Sequence, residues 1–242
     1  SHRLSGQGVK RGHLLWLAAA ALLAVVVTAQ VLTGVGGRDF AAGAGAPTVQ
    51  PGADVLAGVV VVQRRVRGND YRRAAFGDAW DDDNSAPGGH NGCDTRDDIL
   101  TRDLVEKTYV TTKRCPQAVA AGTLRDPYTN GTVDFMRGNQ VGASVQIDHI
   151  VPLAFAWDMG ARDWPDPLLK RFANDPANLL AVAGQANQDK GDLPPGEWMP
   201  PNTGFWCQYA LQFIEVLRGY RLPVDEASAR TLQNAAASCP NS

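Results

Sequence analysis

One uninterrupted apolar run near the N-terminus limits what the rest of this chain can be. The run Leu14–Ala29 contains no charged residue, and three basic residues and no acid precede it. A basic segment followed by an apolar segment is typical of a secretory signal, and Val27-Thr28-Ala29 fits a small-residue cleavage site. The alternative is an uncleaved membrane anchor, because Leu14–Leu32 covers 19 residues and about 20 cross a bilayer. Both interpretations predict that the chain after the run is exported.

Composition shifts predict the domain organisation. Residues 1–33 form the signal peptide or N-terminal membrane anchor. Residues 34–53 are rich in Gly, Ala and Pro without periodicity, which predicts a flexible linker. Residues 54–242 are predicted to form one folded domain. With 44% hydrophobic and 20% charged residues, the composition is that of a globular protein, which excludes a disordered tail, a rod and a polytopic membrane protein.

The charge balance excludes a protein that coats a polyanion through bulk charge. The chain has 23 basic and 25 acidic residues, a formal net charge of −2. Without its first 29 residues it has 20 basic and 25 acidic residues, a net of −5. Proteins that bind nucleic acid through bulk charge are basic. Any contact with a polyanion must therefore be local or assisted by a metal.

Four cysteines agree with export. They are Cys93, Cys115, Cys207 and Cys239, and none forms a CxxC pair. An even number of cysteines in an exported chain predicts two disulfides, for which three pairings exist. We expect Cys93–Cys115 and Cys207–Cys239, because these pairs close short loops within local units.

Periodicity and turn signals predict an α+β fold. Apolar stripes and caps indicate helices, alternating or short apolar runs indicate strands, and Asn130-Gly131 indicates a hairpin turn. The predicted helices are Asp94–Thr108, Gly184–Lys190, Phe205–Arg218 and Glu226–Ala237; the predicted strands are Val145–Asp148 and Asn178–Val182, and Val55–Val62 is a strand or a short helix.

Histidine is scarce in the predicted domain. Only His90 and His149 occur beyond residue 30, and His90 lies in a glycine-rich loop. His149 follows Asp148 at the end of a predicted strand. An Asp-His pair alone is more often structural than catalytic. Asn178 follows 29 residues later and Asn187 nine residues after that, on a strand–strand–helix pattern, and this spacing is specific.

This pattern resembles the HNH, or His-Me finger, nuclease superfamily with its ββα-metal motif. It is most similar to the branch in which Asn replaces the last His, including the HNH domain of CRISPR effector nucleases, which shares the string DHIVP. The wider context resembles exported actinobacterial HNH-family proteins related to the C-terminal nuclease domain of GmrSD-type restriction enzymes. The strings that carry the resemblance are CDTRDDIL (93–100), DPYT (126–129), IDHIVPL (147–153), NLLAV (178–182) and NQDKGD (187–192).

The resemblance implies a ββα-metal core braced by further helices, and a metal-dependent endonuclease that cleaves DNA and leaves 5′-phosphate ends. His149 would be the general base, since a neutral imidazole suits pH near 7. Asp148 and Asn187 would bind one Mg²⁺, or Mn²⁺, because oxygen ligands favour hard cations. Asn178 would hold the loop that carries His149.

Two cationic side chains are candidates for phosphate contact. Lys190 follows Asn187 on the predicted helix, although a lysine at a helix C-terminus also meets the helix dipole. Arg96 lies on the Asp94 helix, where a salt bridge to a neighbouring acid is the alternative. Between the motif halves, Arg162, Lys170 and Arg171 form either a basic rim or an ordinary solvated helix face.

Two other functions stay open at this point. One is a cell-surface binding module that keeps the HNH fold without turnover. The other is a phosphodiesterase on RNA or on a smaller ester. We expect a monomer with nucleic acid, preferably DNA, as its partner, and contact with a membrane only through the N-terminal segment. A serine hydrolase is excluded, because Ser144 lacks the GxSxG elbow.

Overall fold

The computed structural model describes residues 47–138 and 144–241, which all belong to one compact unit. The predicted signal or anchor and most of the predicted linker lie outside these residues. Among the described residues, no helix is both long enough and apolar enough to cross a membrane.

The strands form three small sheets. A parallel pair joins β1 and β7, an antiparallel sheet has the order β2-β3-β4, and an antiparallel pair joins β5 and β6. The bounds are β1 (Val61–Val62), β2 (Val105–Val110), β3 (Ala118–Arg125), β4 (Thr132–Met136), β5 (Val145–His149), β6 (Leu179–Ala183) and β7 (Val224–Asp225).

Six α-helices lie between and after these strands in the described part of the chain. Aspartates cap the N-termini of two of these helices by accepting a hydrogen bond from a free backbone N–H group. Asp94 accepts the Asp97 N–H, and Asp225 accepts the Ser228 N–H. The bounds are α1 (Thr95–Asp103), α2 (Leu153–Asp158), α3 (Asp166–Asn174), α4 (Gly184–Lys190), α5 (Trp206–Tyr220) and α6 (Glu226–Ala236).

The β5–β6 pair lies between two apolar clusters. Successive side chains of a strand point to opposite faces. Leu180 and Val182 accordingly pack into a large cluster with α2, α3, α5 and α6. Leu179 and Ala181 pack into a smaller cluster with α1, β3 and β4. This burial on both faces explains the continuous apolar sequence of β6 and fixes the place where β5 ends.

The α+β class is confirmed, and the elements nearest the motif lie close to their predicted bounds. β5 and β6 pair antiparallel, with Asp148 opposite Leu180 and His149 opposite Leu179. Helices α2 and α3 lie between these strands in the chain, and α4 follows β6 directly. The predicted hairpin turn lies between β3 and β4, where Asn130 adopts a positive φ of 60°.

Two element predictions are wrong in extent. The helix predicted to run to Thr108 ends at Asp103, and Val105–Val110 form strand β2. The reason is residue type: Val, Thr and Tyr favour strands, and Leu104 is already extended. The predicted element at Val55–Val62 has regular structure only at Val61–Val62, where it pairs with β7.

Both predicted disulfides are present. Cys93–Cys115 joins the start of α1 to the segment before β3. Cys207–Cys239 joins α5 to the segment after α6. The two bridges account for all four cysteines of the chain. Each bridge lies within one supersecondary unit, which is why the prediction that the disulfides close short loops is confirmed.

Candidate active site

A cavity of about 580 Å³ opens beside the end of β5 and the C-terminal end of α4. Three side chains predicted from the motif line it: Asp148, His149 and Asn187. The loop before α1 forms the opposite wall. The other side chains used below that line the cavity are Tyr71, Arg73, Trp80, Arg96, Gln146 and Asp192.

His149 is held by a backbone carbonyl and a stacked ring. Its Nε2 lies 2.9 Å from the Ala173 carbonyl oxygen. Since a carbonyl only accepts, Nε2 carries the proton and Nδ1 keeps its lone pair. The Trp80 ring stacks on the imidazole, with centroids 5.4 Å apart and planes 10° from parallel. Burial lowers the pKa of His149 to about 3, so the ring is neutral near pH 7.

Asn178 fastens the loop that follows His149. Its side chain is fully buried, its Oδ1 accepts the Val151 N–H at 2.8 Å, and its Nδ2 donates to the Val151 carbonyl at 3.2 Å. Its own carbonyl accepts the Ile150 N–H at 2.9 Å. These contacts hold the chain just after β5, whereas a catalytic contribution of Asn178 stays a prediction.

Asp148 belongs to a buried cluster that we define as Asp148, Lys190 and Tyr128. The Lys190 ammonium donates to both carboxylate oxygens of Asp148, at 2.9 and 2.7 Å, and to the His149 carbonyl at 2.7 Å. The Tyr128 hydroxyl donates to Asp148 at 2.5 Å. Burial raises the pKa of Tyr128 well above its usual value, so this hydroxyl stays protonated.

The side chains of Lys190 and Asn187 make contacts that the sequence did not indicate. Lys190 is fully buried, and its three donor positions are filled inside the protein. A phosphate contact by Lys190 would require the ammonium to leave Asp148. Asn187 is half-buried in the cavity wall, and its Nδ2 donates to Gln146 Oε1 at 2.8 Å.

The oxygen donors predicted for Mg²⁺ do not fit a metal ion as they stand. Both carboxylate oxygens of Asp148 already face an ammonium group. Nowhere in residues 47–138 and 144–241 do three His, Cys, Asp or Glu side chains gather closely enough to hold a metal. Asn187 would contribute one neutral amide oxygen. A divalent ion needs more charge and more ligands than this set offers.

Two arginines contribute to the cavity, and we call them the arginine pair. Arg96, predicted as a phosphate contact, lines the cavity and donates to the Val145 carbonyl at 3.0 Å. Arg73 was missed by the sequence analysis. It is exposed on the loop before α1, and its charge lowers the pKa of His149. The adjacent arginines Arg72-Arg73 were the available signal.

The rim suggested for Arg162, Lys170 and Arg171 lies elsewhere. Arg162 pairs with Asp70 and Asp158, Lys170 lies 2.6 Å from Asp81, and Arg171 donates to the Ser85 carbonyl. None of the three lines this cavity. Carboxylates pair with Arg162 and Lys170, and a backbone carbonyl accepts from Arg171; sequence spacing does not reveal these contacts.

The fold and the site together define an α+β domain with a neutral histidine in an arginine-lined cavity. Residues 94–235 match the family described as the C-terminal domain of GmrSD restriction endonucleases. This match covers more than half of the 242 residues, so the chain belongs to that family and carries a nuclease-type domain. The matched range contains all the motif residues from Arg96 to Lys190.

A fungal protein is also similar to this chain. An uncharacterized secreted protein of Arthroderma benhamiae is 35% identical over 149 residues, which are 61% of this chain and 68% of the relative.

Proposed function

We propose that this domain hydrolyses phosphodiester bonds of nucleic acid, preferably DNA, with His149 as the general base. One observation carries the proposal: His149, whose imidazole is neutral and turns its Nε2 to the Ala173 carbonyl, lines the same cavity as Arg73 and Arg96. The family of restriction-endonuclease domains supports nucleic acid as the substrate class. The HNH-type mechanism is the form of this hydrolysis that the motif favours.

The protein would act through base catalysis and through fixed positive charge. A water between His149 Nδ1 and the phosphorus would lose its proton to the imidazole as it attacks, and the bond from phosphorus to the 3′-oxygen would break. The leaving 3′-oxygen would take a proton from solvent. Guanidinium groups match phosphate oxygens well and stabilise charge that develops on them. The arginine pair therefore anchors the phosphate and stabilises the transition state.

Substrate binding also makes His149 a stronger base. With a pKa of about 3, the imidazole of the free protein is neutral but weakly basic. A phosphodiester anion in the cavity favours the protonated imidazole and raises this pKa, since an opposite charge nearby favours the charged form. The base thus becomes effective when the substrate is bound.

The Mg²⁺ or Mn²⁺ ion expected from the motif stays a prediction. Its proposed ligands, Asp148 and Asn187, line the cavity, but Asp148 is bound to Lys190. If a metal binds there, it supplies a Lewis acid for the phosphate oxygens. The mechanism above uses only groups of this chain and does not depend on that ion.

We further propose that the domain acts outside the cytoplasm as a monomer. Two disulfides support an oxidising compartment. The secreted description of the Arthroderma benhamiae relative supports the same location. The N-terminal apolar run would be its only contact with a membrane.

The test uses the full chain, produced under oxidising conditions, with supercoiled plasmid and with single-stranded RNA. Reactions contain Mg²⁺, Mn²⁺ or EDTA, and the product ends are analysed for 5′-phosphate. His149→Ala is compared with His90→Ala, a matched control because His90 is exposed and does not line the cavity. We expect nicking by the wild type and by His90→Ala, and none by His149→Ala.

Other results would redirect the proposal. Cleavage of RNA alone would keep the base and change the substrate. Equal nicking by all three proteins would remove His149 from the mechanism. Binding of plasmid without cleavage under every condition would favour the non-catalytic binding module.

A further inference from the structure

We infer that Lys190 is a built-in cation that occupies the place beside Asp148 where a metal ion would have to bind. Asp148 is then the partner of Lys190 and not a metal ligand. This inference concerns the same cavity as the proposed function and rests on it for the identity of the site. Its experiments use metal binding and amine labelling, so they fail independently of nuclease activity.

The contacts of Lys190 carry the inference. The side chain is 0% exposed and that of Asp148 is 5% exposed. An ammonium has three donors, and all three find acceptors: both oxygens of Asp148 and the His149 carbonyl. A third hydrogen bond to the carboxylate comes from the Tyr128 hydroxyl. The cluster is therefore complete without any added ion.

A metal on Asp148 would need to break this arrangement. The incoming ion would take the carboxylate from Lys190 and leave a buried ammonium with a single carbonyl acceptor. An uncompensated buried charge is strongly unfavourable.

The spacing of the motif explains why the lysine reaches this place. Lys190 lies three residues after Asn187 on α4, so the two side chains lie one turn apart on adjoining parts of the helix surface. Asn187 contacts Gln146 of β5, and Lys190 contacts Asp148 two residues further along the same strand. The helix thus lies across the strand with its lysine directly over the carboxylate.

The first experiment measures binding of Mn²⁺ alone by calorimetry. Four full-length proteins are compared: wild type, Asp148→Asn, Lys190→Met and the double variant Asp148→Asn/Lys190→Met. We expect Asp148→Asn to leave wild-type Mn²⁺ binding unchanged within about twofold, because that carboxylate is not a ligand. Lys190→Met frees the carboxylate and should tighten Mn²⁺ binding at least tenfold. The double variant should lose this gain.

The second experiment needs no variant, so it holds even if Lys190→Met fails to fold. The wild type is acylated at its amines with and without Mn²⁺, and each lysine is quantified by mass spectrometry. Exposed Lys113 is the internal control for labelling. We expect Lys113 to be labelled and Lys190 to stay unlabelled in both conditions.

Three results would overturn the inference. The first is loss of wild-type Mn²⁺ binding in Asp148→Asn. The second is a folded Lys190→Met protein that binds Mn²⁺ no more tightly than the wild type. The third is labelling of Lys190 that appears when Mn²⁺ is added, which would show that the metal displaces the ammonium.

Discussion

The buried cluster, which reaches the cavity only through Asp148, and the arginine pair, which lines the cavity, differ in how their positive charge is used. Lys190 in the buried cluster is fully enclosed, and its charge is neutralised by Asp148. Arg73 of the arginine pair is exposed at the cavity, where an anion from solvent can reach it. Of the two positive charges near His149, that of Lys190 is therefore enclosed and that of Arg73 is accessible.

This difference teaches which cations belong to the fold and which to the substrate. Separating a buried pair leaves an uncompensated charge and costs several kcal/mol, whereas an exposed guanidinium loses little when it changes partner. The buried cluster stabilises the end of β5 and the start of the loop with His149. The arginine pair is the part of the cavity that is able to meet a phosphate.

The largest effect on activity is expected from substitution of His149, which lies between the buried cluster and the arginine pair. His149→Ala should lower the rate of phosphodiester cleavage by about 10²–10⁴-fold, the usual contribution of a general base. The circular dichroism spectrum should stay that of the wild type. Cleavage kinetics on plasmid measure the effect, and a loss below tenfold would mean that the cavity works without this base.

The buried cluster should be the more sensitive region for stability. Lys190→Met leaves the Asp148 carboxylate buried without its cation, and we expect a loss of about 3–5 kcal/mol in the free energy of unfolding. The double variant Asp148→Asn/Lys190→Met removes both charges and should recover most of that loss. Urea unfolding measures both proteins. Equal stability of the single and double variants would show that the two charges are not coupled.

The arginine pair should affect activity without affecting stability. Arg73→Ala is expected to weaken cleavage about 10–150-fold through substrate binding, because one hydrogen bond to a charged group contributes roughly 1.5–3 kcal/mol. Arg64→Ala is the matched control: Arg64 is exposed in the same basic segment and does not line the cavity. Thermal unfolding of both variants should match the wild type. A similar loss of activity in both variants would point to bulk charge and not to the arginine pair.

The smallest effect is the pH dependence of stability set by His149. Its pKa is about 3 when folded and 6.5 in the unfolded chain, so the unfolded state binds more protons between these values. This contribution to stability is fully present above pH 6.5 and is lost as the pH falls toward 3. The loss amounts to about 1.4 kcal/mol per pH unit.

Urea unfolding at pH 7 and pH 5.5 measures this dependence. The fall in stability between the two values should be smaller in His149→Gln, which lacks the titrating ring, and unchanged in His90→Ala. An identical fall in wild type and His149→Gln would assign the pH dependence to other groups.

Local sequence signals predicted the elements around the motif well. The turn and apolar runs gave β5, β6, α4 and the C-terminal helices, because each depends on neighbours in sequence. The boundary near Leu104 was missed because the apolar stripe outweighed the strand preference of Val, Thr and Tyr in β2, which pairing with β3 supports. Sequence patterns thus succeed where local preference and tertiary pairing agree.

The sequence predicted which residues form the site better than it predicted the contacts between them. The sequence analysis named the Asp-His pair, both asparagines and Arg96. All of these except Asn178 line the cavity. Arg73 was missed because it comes from a loop far from the motif in sequence. The roles assigned to Lys190 and Asp148 assumed separate partners, whereas the structure joins the two.

The sequence by itself predicted export, the disulfide pairing and the α+β composition, and it identified the scarce histidine. These follow from residue types and from short spacings. Only the tertiary structure decided which charges face solvent and which neutralise each other. Lys190 and Asp148 lie 42 residues apart, and Tyr128 lies 20 residues before Asp148. Their contact depends on how α4 packs across β5, and burial then makes each group require its partner.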